Sequence, residues 1–133
     1  MFPSDILIMA SKLVKITNEK KITLATAESC TGGLIAGAIT AIPGSSSIFH
    51  RGYVTYSNLA KQQVLNVQSY ELSKFGAVSE EVASQMAIGA KLNSNADISV
   101  AVTGIAGPSG GSEEKPIGTV FIAVASNKDI TVK

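Results

Sequence analysis

Apolar residues recur along the chain with two periods, one typical of helices and the other of strands. Strands alternate with helices, and their apolar runs are nearly continuous, as in sheets covered on both faces. We therefore expect an α/β fold with helices on both sides of a central sheet. The helical spacing predicts helices over 4–19, 31–42, 58–66, 70–75 and 79–94, and the β-branched runs predict strands over 21–26, 51–56, 97–103, 118–126 and from 130 onward.

Two of these segments are apolar enough to be expected in the interior. Residues 31–42 are almost wholly apolar or small before Pro43-Gly44, and they predict a buried helix. Residues 118–126 (GTVFIAVAS) predict a buried strand. A chain of 133 residues is large enough for one core, so residues 1–133 are interpreted as a single domain.

Composition and charge exclude several classes of protein. The chain is 45% hydrophobic and 16% charged, as expected of a well-packed globular protein. The formal net charge is +1 without a Lys/Arg cluster, which argues against a nucleic-acid partner. The apolar runs are too short for a membrane span, and the N-terminus lacks the pattern of a signal peptide. We therefore expect a cytoplasmic protein with no membrane partner.

Metal and cofactor chemistry has little support in the sequence. Cys30 and His50 are the only residues of their types, which excludes an internal disulfide and a multi-cysteine metal site. Neither glycine-rich segment contains a P-loop or the dinucleotide-binding fingerprint. The predictions are therefore no metal and no cofactor.

The segment TAESCTGG (26–33) lies between a predicted strand and a predicted helix. It brings two candidate nucleophiles, Ser29 and Cys30, to a turn where free N–H groups and the helix dipole favour negative charge. Gly32 and Gly33 would let a substrate approach the backbone. Such a turn can hold a phosphate or stabilise an oxyanion. The same residues also fit a structural turn with a Thr cap, with Cys30 as packing and Glu28 as a buried hydrogen-bond acceptor.

A serine nucleophile needs a base, and lysine is the natural alternative where histidine is scarce. Lys61 follows the end of the second strand, so it is a candidate to lie beside Ser29. A lysine acts as a base only when burial or nearby positive charge lowers its pKa. Tyr56 is placed to orient it or to relay a proton. The competing interpretation is a solvated lysine on a surface helix.

The glycine-rich loop 104–116 is longer than a connector in a compact domain needs. It follows the carboxyl end of a central strand, where open α/β sheets bind ligands. A ligand-binding loop and a flexible surface excursion both fit these observations. Arg51, at the start of the second predicted strand, is a candidate for contact with a phosphate or a partner.

Five segments resemble the CinA C-terminal domain family, whose stand-alone members are nicotinamide mononucleotide deamidases. The similarity runs from the first helix to the end of the chain, and it implies a three-layer α/β/α sandwich around a central mixed, mostly parallel sheet. Family members commonly associate as dimers or larger homo-oligomers. The segments are AESCTGG (27–33), PGSS (43–46), RGYVTYSNLAK (51–61), GAVSEEVA (76–83) and TGIAGPSGGSEEKPIGTV (103–120).

The resemblance implies hydrolysis of the carboxamide of nicotinamide mononucleotide to nicotinate mononucleotide and ammonia, without a metal. Ser29 matches the nucleophile of the family, Lys61 its general base and Tyr56 the accompanying tyrosine. The small-molecule nucleotide would be the partner of the site. Backbone N–H groups at Cys30, Thr31, Gly32 and Gly33 would stabilise the oxyanion, and the ribose and phosphate would contact Thr103, Gly104, Gly107, Ser109, Gly110 and Gly111.

One departure from the family pattern leaves a second function open. Relatives continue past the strand beginning at Ile130 into a helix with arginines that are candidate partners for the phosphate. This chain stops at Lys133, so it is interpreted as truncated or naturally short. The alternatives are a catalytically impaired nucleotide-binding or regulatory module and, less favoured by the Ser29, Tyr56 and Lys61 set, a structural interaction domain.

Overall fold

The structure is a computed structural model that describes all 133 residues. Its elements follow the predicted order and lie close to the predicted ranges. No helix has the length and apolar character needed to cross a membrane. The elements are α1 (Ser4–Lys20), β1 (Leu24–Glu28), α2 (Leu34–Thr40), a 3₁₀ turn (Ser45–Ser47), β2 (Phe49–Val54), α3 (Asn58–Leu65), α4 (Ser69–Phe75), α5 (Glu80–Ser94), β3 (Ile98–Gly104), β4 (Val120–Ala125) and β5 (Ile130–Val132).

The strands form one mixed sheet in the order β2-β1-β3-β4-β5. β1 is parallel to both β2 and β3, whereas β4 is antiparallel to β3 and to β5. Only β4 therefore runs against the other four strands, which confirms the predicted mixed, mostly parallel sheet. The carboxyl ends of β1, β2 and β3 meet at one edge of the sheet.

Small residues allow α5 to pack closely on one face of the sheet. The alanines of α5 are buried against alanines of β1, β3 and β4 in the larger core cluster. The Ser99 hydroxyl of β3 donates to the Ala87 carbonyl of α5, which requires that the helix and strand backbones lie near each other. Ser79 begins the helix, because its side chain accepts a hydrogen bond from the N–H of Val82 at 3.2 Å.

α2 packs on the other face over β1 and β2, and α1 packs on α2. A second core cluster joins Val14 of α1, Leu24 of β1 and Ile39 of α2 to Ile48. Helices thus lie on both faces of the sheet, as the sandwich prediction requires.

Two predictions about buried elements are wrong. α2 begins at Leu34 instead of 31 and ends at Thr40, and only two of its residues are buried. It starts late because Gly32 and Gly33 have φ values of 59° and 102°, outside the helical region. β4 is buried on one face only: Ile122 and Val124 are 43% and 37% exposed, since no helix covers that part of the sheet.

Gly89 marks the closest approach of α5 to α3, and we expect Gly89→Ala to destabilise the fold. A Cβ at this position would lie 2.1 Å from the carbonyl oxygen of Leu65, a backbone atom that cannot move aside independently. The expected loss is about 2 kcal/mol or more in the free energy of unfolding, measured by urea denaturation.

Gly37→Ala in α2 is the matched control. Its Cβ would meet only the outer end of the Phe2 ring, at 3.2 Å. We expect it to be neutral or to stabilise by up to about 1 kcal/mol through helix propensity. Equal losses in the two variants would contradict this account of the α3–α5 contact.

Candidate active site

A cavity of about 350 Å³ opens at the edge where β1, β2 and β3 end. Ser29 follows β1 directly, Thr103 and Gly104 end β3, and Lys61 comes from the first turns of α3. Open α/β sheets bind ligands at the carboxyl ends of their strands. The cavity is therefore the first candidate for the functional site.

Ser29 and Lys61 both line this cavity and lie in direct contact with each other. The Lys61 Nζ lies 2.9 Å from the Ser29 Oγ. Both residues are buried: Lys61 is 1% exposed and Ser29 is 7% exposed. The structure thus brings together two residues that are 32 positions apart in the sequence. The interpretation of Lys61 as a solvated surface lysine is wrong, because the position of α3 beside β1 buries its side chain.

Two main-chain carbonyls complete the surroundings of the Lys61 amine. Nζ lies 2.8 Å from the carbonyl oxygen of Thr55 and 3.0 Å from that of Tyr56. Ser57 caps α3 by accepting a hydrogen bond from the N–H of Ala60, and this cap fixes the first turn from which Lys61 projects. The segment between β2 and α3 therefore provides two of the three partners of the amine, and the first turn of α3 provides the lysine itself.

Burial lowers the pKa of Lys61, because the ammonium form loses its hydration in the protein interior. A nearby Cys30 thiolate would act in the opposite direction, as a smaller cause. The neutral amine is thus populated at lower pH than in an ordinary lysine. This is the condition under which a lysine can act as a base.

Cys30 also lines the cavity, but its surroundings differ from those of Ser29. Burial raises the pKa of the Cys30 thiol, and this effect exceeds the opposing effects of nearby N–H groups and Lys61. A neutral thiol is the less reactive form. The thiol packs on the end of β3, where a Cβ at Gly104 would lie 3.1 Å from the Cys30 Sγ.

The N-terminus of α2 is closed by the protein itself, contrary to the expectation that its N–H groups are free. The buried Glu28 carboxylate accepts hydrogen bonds from the N–H groups of Ile35 at 2.8 Å and Ala36 at 3.0 Å. Glu28 is thus the buried acceptor that the sequence suggested, and it occupies the position expected for a substrate anion. The helix dipole is satisfied by a residue of the chain.

The predicted oxyanion donors consequently divide into two groups. The N–H groups of Cys30 and Thr31 make no hydrogen bond with a backbone or side-chain oxygen, and both lower the pKa of the Cys30 thiol. The N–H of Gly32 donates to the Ser29 carbonyl at 3.1 Å. Gly32 and Gly33 line a separate cavity formed with Phe2 and α2. The N–H groups of Cys30 and Thr31 are therefore the donors nearest Ser29 that no oxygen of the chain occupies, and both lie near the Cys30 thiol.

The loop between β3 and β4 forms one wall of the cavity. Its ends are paired, because the N–H of Ile105 donates to Thr119 and the N–H of Gly118 donates to Ile105. The Lys115 Nζ donates to the Phe75 carbonyl at 2.7 Å, which ties the loop to the end of α4. Of the residues predicted around this loop to contact the ribose and phosphate, Gly111 lies against Ile117, and the others line the cavity: Thr103, Gly104, Gly107, Ser109 and Gly110.

Two other predicted residues contribute differently from what the sequence suggested. Tyr56 is 72% exposed, and its contact with Lys61 is made by the main-chain carbonyl, with no hydrogen bond from the phenol. The Arg51 guanidinium donates to the carbonyl of Asn93 at the end of α5 and does not line the cavity. Arg51 points to this helix because it lies in β2, away from the edge where the strand ends.

Sequence reasoning missed Thr55, Ala77 and Val78 at this site. Thr55 contributes a carbonyl, and Ala77 accepts a hydrogen bond from the Thr103 hydroxyl at 2.8 Å. Ala77 and Val78 line the cavity with no reactive group of their own. Main-chain contributions carry no residue-type signal, so only the position of Thr55 and Ala77 beside recognisable motifs could have indicated them.

The fold and site define an α/β sandwich with a buried serine–lysine pair at the carboxyl edge of its sheet. The CinA C-terminal domain matches residues 7–133, and the chain belongs to this family. A CinA-like protein of Geotalea uraniireducens is 50% identical over 133 residues, all of this chain and 32% of the relative. One from Prochlorococcus marinus subsp. pastoris is 53% identical over 117 residues, covering 88% of this chain and 27% of the relative. The chain thus spans about a third or less of the length of these curated relatives.

Solved structures of the family share the whole fold. The competence/damage inducible protein CihA from Agrobacterium tumefaciens is 48% identical with a TM-score of 0.98, covering 100% of this chain and 81% of that chain. A CinA superfamily protein from Escherichia coli is 36% identical with a TM-score of 0.93, covering 100% of this chain and 78% of that chain.

The lowered pKa of Lys61 predicts a pH-dependent contribution to stability. Between that lowered value and the ordinary value of 10.5, the unfolded chain binds more protons than the folded protein. The free energy of unfolding of the wild type, relative to that of Lys61→Met, should therefore rise as pH increases through this window. This added stability should disappear as pH falls through the lowered pKa.

Urea denaturation at a series of pH values measures this difference. Lys12→Met, on an exposed position of α1, controls for the loss of one positive charge. A difference between wild type and Lys61→Met that stays constant across the window would show that Lys61 titrates as an ordinary lysine.

Proposed function

We propose that this chain hydrolyses the carboxamide of nicotinamide mononucleotide to nicotinate mononucleotide and ammonia. Ser29 is the nucleophile and Lys61 the general base. The observation that carries the proposal is the 2.9 Å contact between the Ser29 Oγ and the Nζ of a buried lysine. Family membership supports an amidohydrolase of this kind.

The surroundings of Lys61 favour the base over the ammonium form. A neutral amine has two N–H donors and one lone pair, and a carbonyl can only accept a hydrogen bond. When the two N–H groups donate to Thr55 and Tyr56, the lone pair is left for the Ser29 hydroxyl. The two carbonyls thus orient the base, and the proposed contribution of Tyr56 is its carbonyl.

The first half of the reaction forms an acyl-enzyme. The Ser29 Oγ bonds to the amide carbon while its proton passes to the Lys61 Nζ. The amide oxygen becomes an oxyanion, which the free N–H groups of Cys30 and Thr31 are proposed to stabilise. The carbon–nitrogen bond then breaks, Lys61 returns the proton to the leaving nitrogen, and ammonia departs.

The second half hydrolyses the ester. Lys61, neutral again, takes a proton from water as the water oxygen attacks the acyl carbon. The bond to the Ser29 Oγ breaks, and the proton on Lys61 passes to that oxygen. Nicotinate mononucleotide and free Ser29 result, and no step requires a metal ion.

We propose that the wall formed by the β3–β4 loop binds the nucleotide. Small residues bring the backbone to the cavity surface, and Ser109 adds a hydroxyl. Close approach of backbone to a ligand is a common use of glycine. Thr103 contributes less, because its hydroxyl proton is donated to Ala77.

A second candidate function is a nucleotide-binding module with little turnover. Lys61 is the only cationic side chain that lines the cavity, and it is in contact with Ser29. A phosphate would therefore be bound by main-chain N–H groups and hydroxyls. Calorimetric binding of nicotinamide mononucleotide without ammonia release would favour this function.

Ser29→Ala should abolish ammonia release from nicotinamide mononucleotide, with a decrease of about 1,000-fold or more, because no acyl-enzyme can form. Cys30→Ala should retain most of the activity, because the raised pKa keeps that thiol neutral. Circular dichroism of both variants verifies the fold. Activity that survives in Ser29→Ala and is lost in Cys30→Ala would reverse the assignment.

The pH dependence of kcat/KM tests the base. The rate should rise with pH as Lys61 loses its proton, with a midpoint below the ordinary lysine value because burial lowers its pKa. Dialysis against EDTA should leave the rate unchanged. A rate lost on dialysis and restored by zinc would contradict the proposed base mechanism.

A further inference from the structure

We propose that Glu28 is a positioning residue that holds Ser29 and Lys61 in contact. Its side chain joins the end of β1 to α2, and its main chain joins β1 to the segment that carries the carbonyl partners of Lys61. The catalytic consequence rests on the proposed function, whereas the positioning itself can be measured without turnover.

The side chain of Glu28 fixes the turn that presents Ser29. It is 1% exposed, and each carboxylate oxygen accepts a separate hydrogen bond, from Ile35 at 2.8 Å and from Ala36 at 3.0 Å. A buried carboxylate is stable only when its oxygens are satisfied in this way. The two bonds therefore set the distance between the end of β1 and the start of α2, and residues 29–33 must span it.

The main chain of Glu28 reaches the other half of the pair. The Glu28 carbonyl accepts a hydrogen bond from the N–H of Thr55 at 2.9 Å. The carbonyl of the same Thr55 lies 2.8 Å from the Lys61 Nζ. Glu28 is thus covalently next to the nucleophile and separated from the base by two hydrogen bonds.

Glu28→Gln tests the two hydrogen bonds of the carboxylate with the smallest change in side-chain size. The side chain keeps its size, but its NH₂ group now faces an N–H of α2 and cannot accept a hydrogen bond. The turn must then shift, and a displacement of about 1 Å at a catalytic group can cost about 100-fold in rate. Because the shift also admits water to the lysine, the Lys61 pKa should move back toward its ordinary value.

Asp97→Asn is the matched control, because Asp97 ties the opposite end of β1. Its carboxylate accepts hydrogen bonds from the Thr23 N–H at 2.8 Å and the Thr23 hydroxyl at 3.0 Å. The change again replaces a carboxylate with an amide. It removes the same charge next to the start of β1, and because one Asp97 oxygen accepts both bonds, the Asn oxygen can still accept them, so this variant controls for the loss of charge.

Three measurements on the full chain decide the proposal: steady-state kinetics of ammonia release, the rate at which a fluorophosphonate labels Ser29, and NMR titration of the Lys61 Nζ. In Glu28→Gln we expect kcat to fall about 100-fold with KM changed less than about threefold, labelling to slow in parallel, and the Lys61 pKa to rise. In Asp97→Asn all three should match the wild type.

A folded Glu28→Gln protein with wild-type labelling and a wild-type Lys61 titration would overturn the proposal. So would equal effects of the two substitutions, because they would reduce Glu28 to a general contribution to stability. If Glu28→Gln does not fold, Glu28→Asp decides, since it keeps the charge and shortens the side chain by one methylene. Wild-type values in Glu28→Asp would then overturn the positioning role.

The two proposals fail in different ways. A wild-type chain that releases no ammonia would contradict the proposed function. In that case the Lys61 titration in Glu28→Gln and Asp97→Asn still decides whether Glu28 positions the lysine. A Lys61 pKa that rises only in Glu28→Gln supports positioning with or without hydrolysis.

Discussion

The site depends on the burial of one amine, that of Lys61. Removing an ammonium group from water is costly, and the cost falls when the group gives up its proton. Three oxygen atoms within 3.0 Å of Nζ provide the hydrogen bonds that the amine loses to water. Burial thus favours the neutral amine, and the same three oxygens fix its orientation beside Ser29.

The sheet topology makes this burial possible. β1, β2 and β3 run parallel, so their ends bring the Ser29 turn, the β2–α3 segment and the end of β3 to one edge. β4 returns antiparallel to β3, so the loop between them begins and ends at that same edge. The single reversed strand therefore allows a long loop to wall the cavity without a crossover to the far side.

The start of α2 shows how a chain can use its own charge where a ligand would fit. Free N–H groups at a helix N-terminus favour any anion. Here the Glu28 carboxylate occupies them, so the free donors beside Ser29 are those of Cys30 and Thr31 in the preceding turn. The electrostatics of the turn thus attract an anion as expected, and at the first turn of α2 that anion is the Glu28 carboxylate.

The sequence by itself determined the order of the elements, the start of α5 at Ser79, and the choice of Ser29 and Lys61 as the reactive groups worth testing. Each of these depends on residues within a few positions of one another, which periodicity and capping rules describe. Only the tertiary structure decided that Lys61 is buried against Ser29, that Arg51 turns to α5, and that β4 has one open face. These outcomes depend on strand register and on which helix covers which strand, and both follow from packing between distant segments that no local pattern encodes.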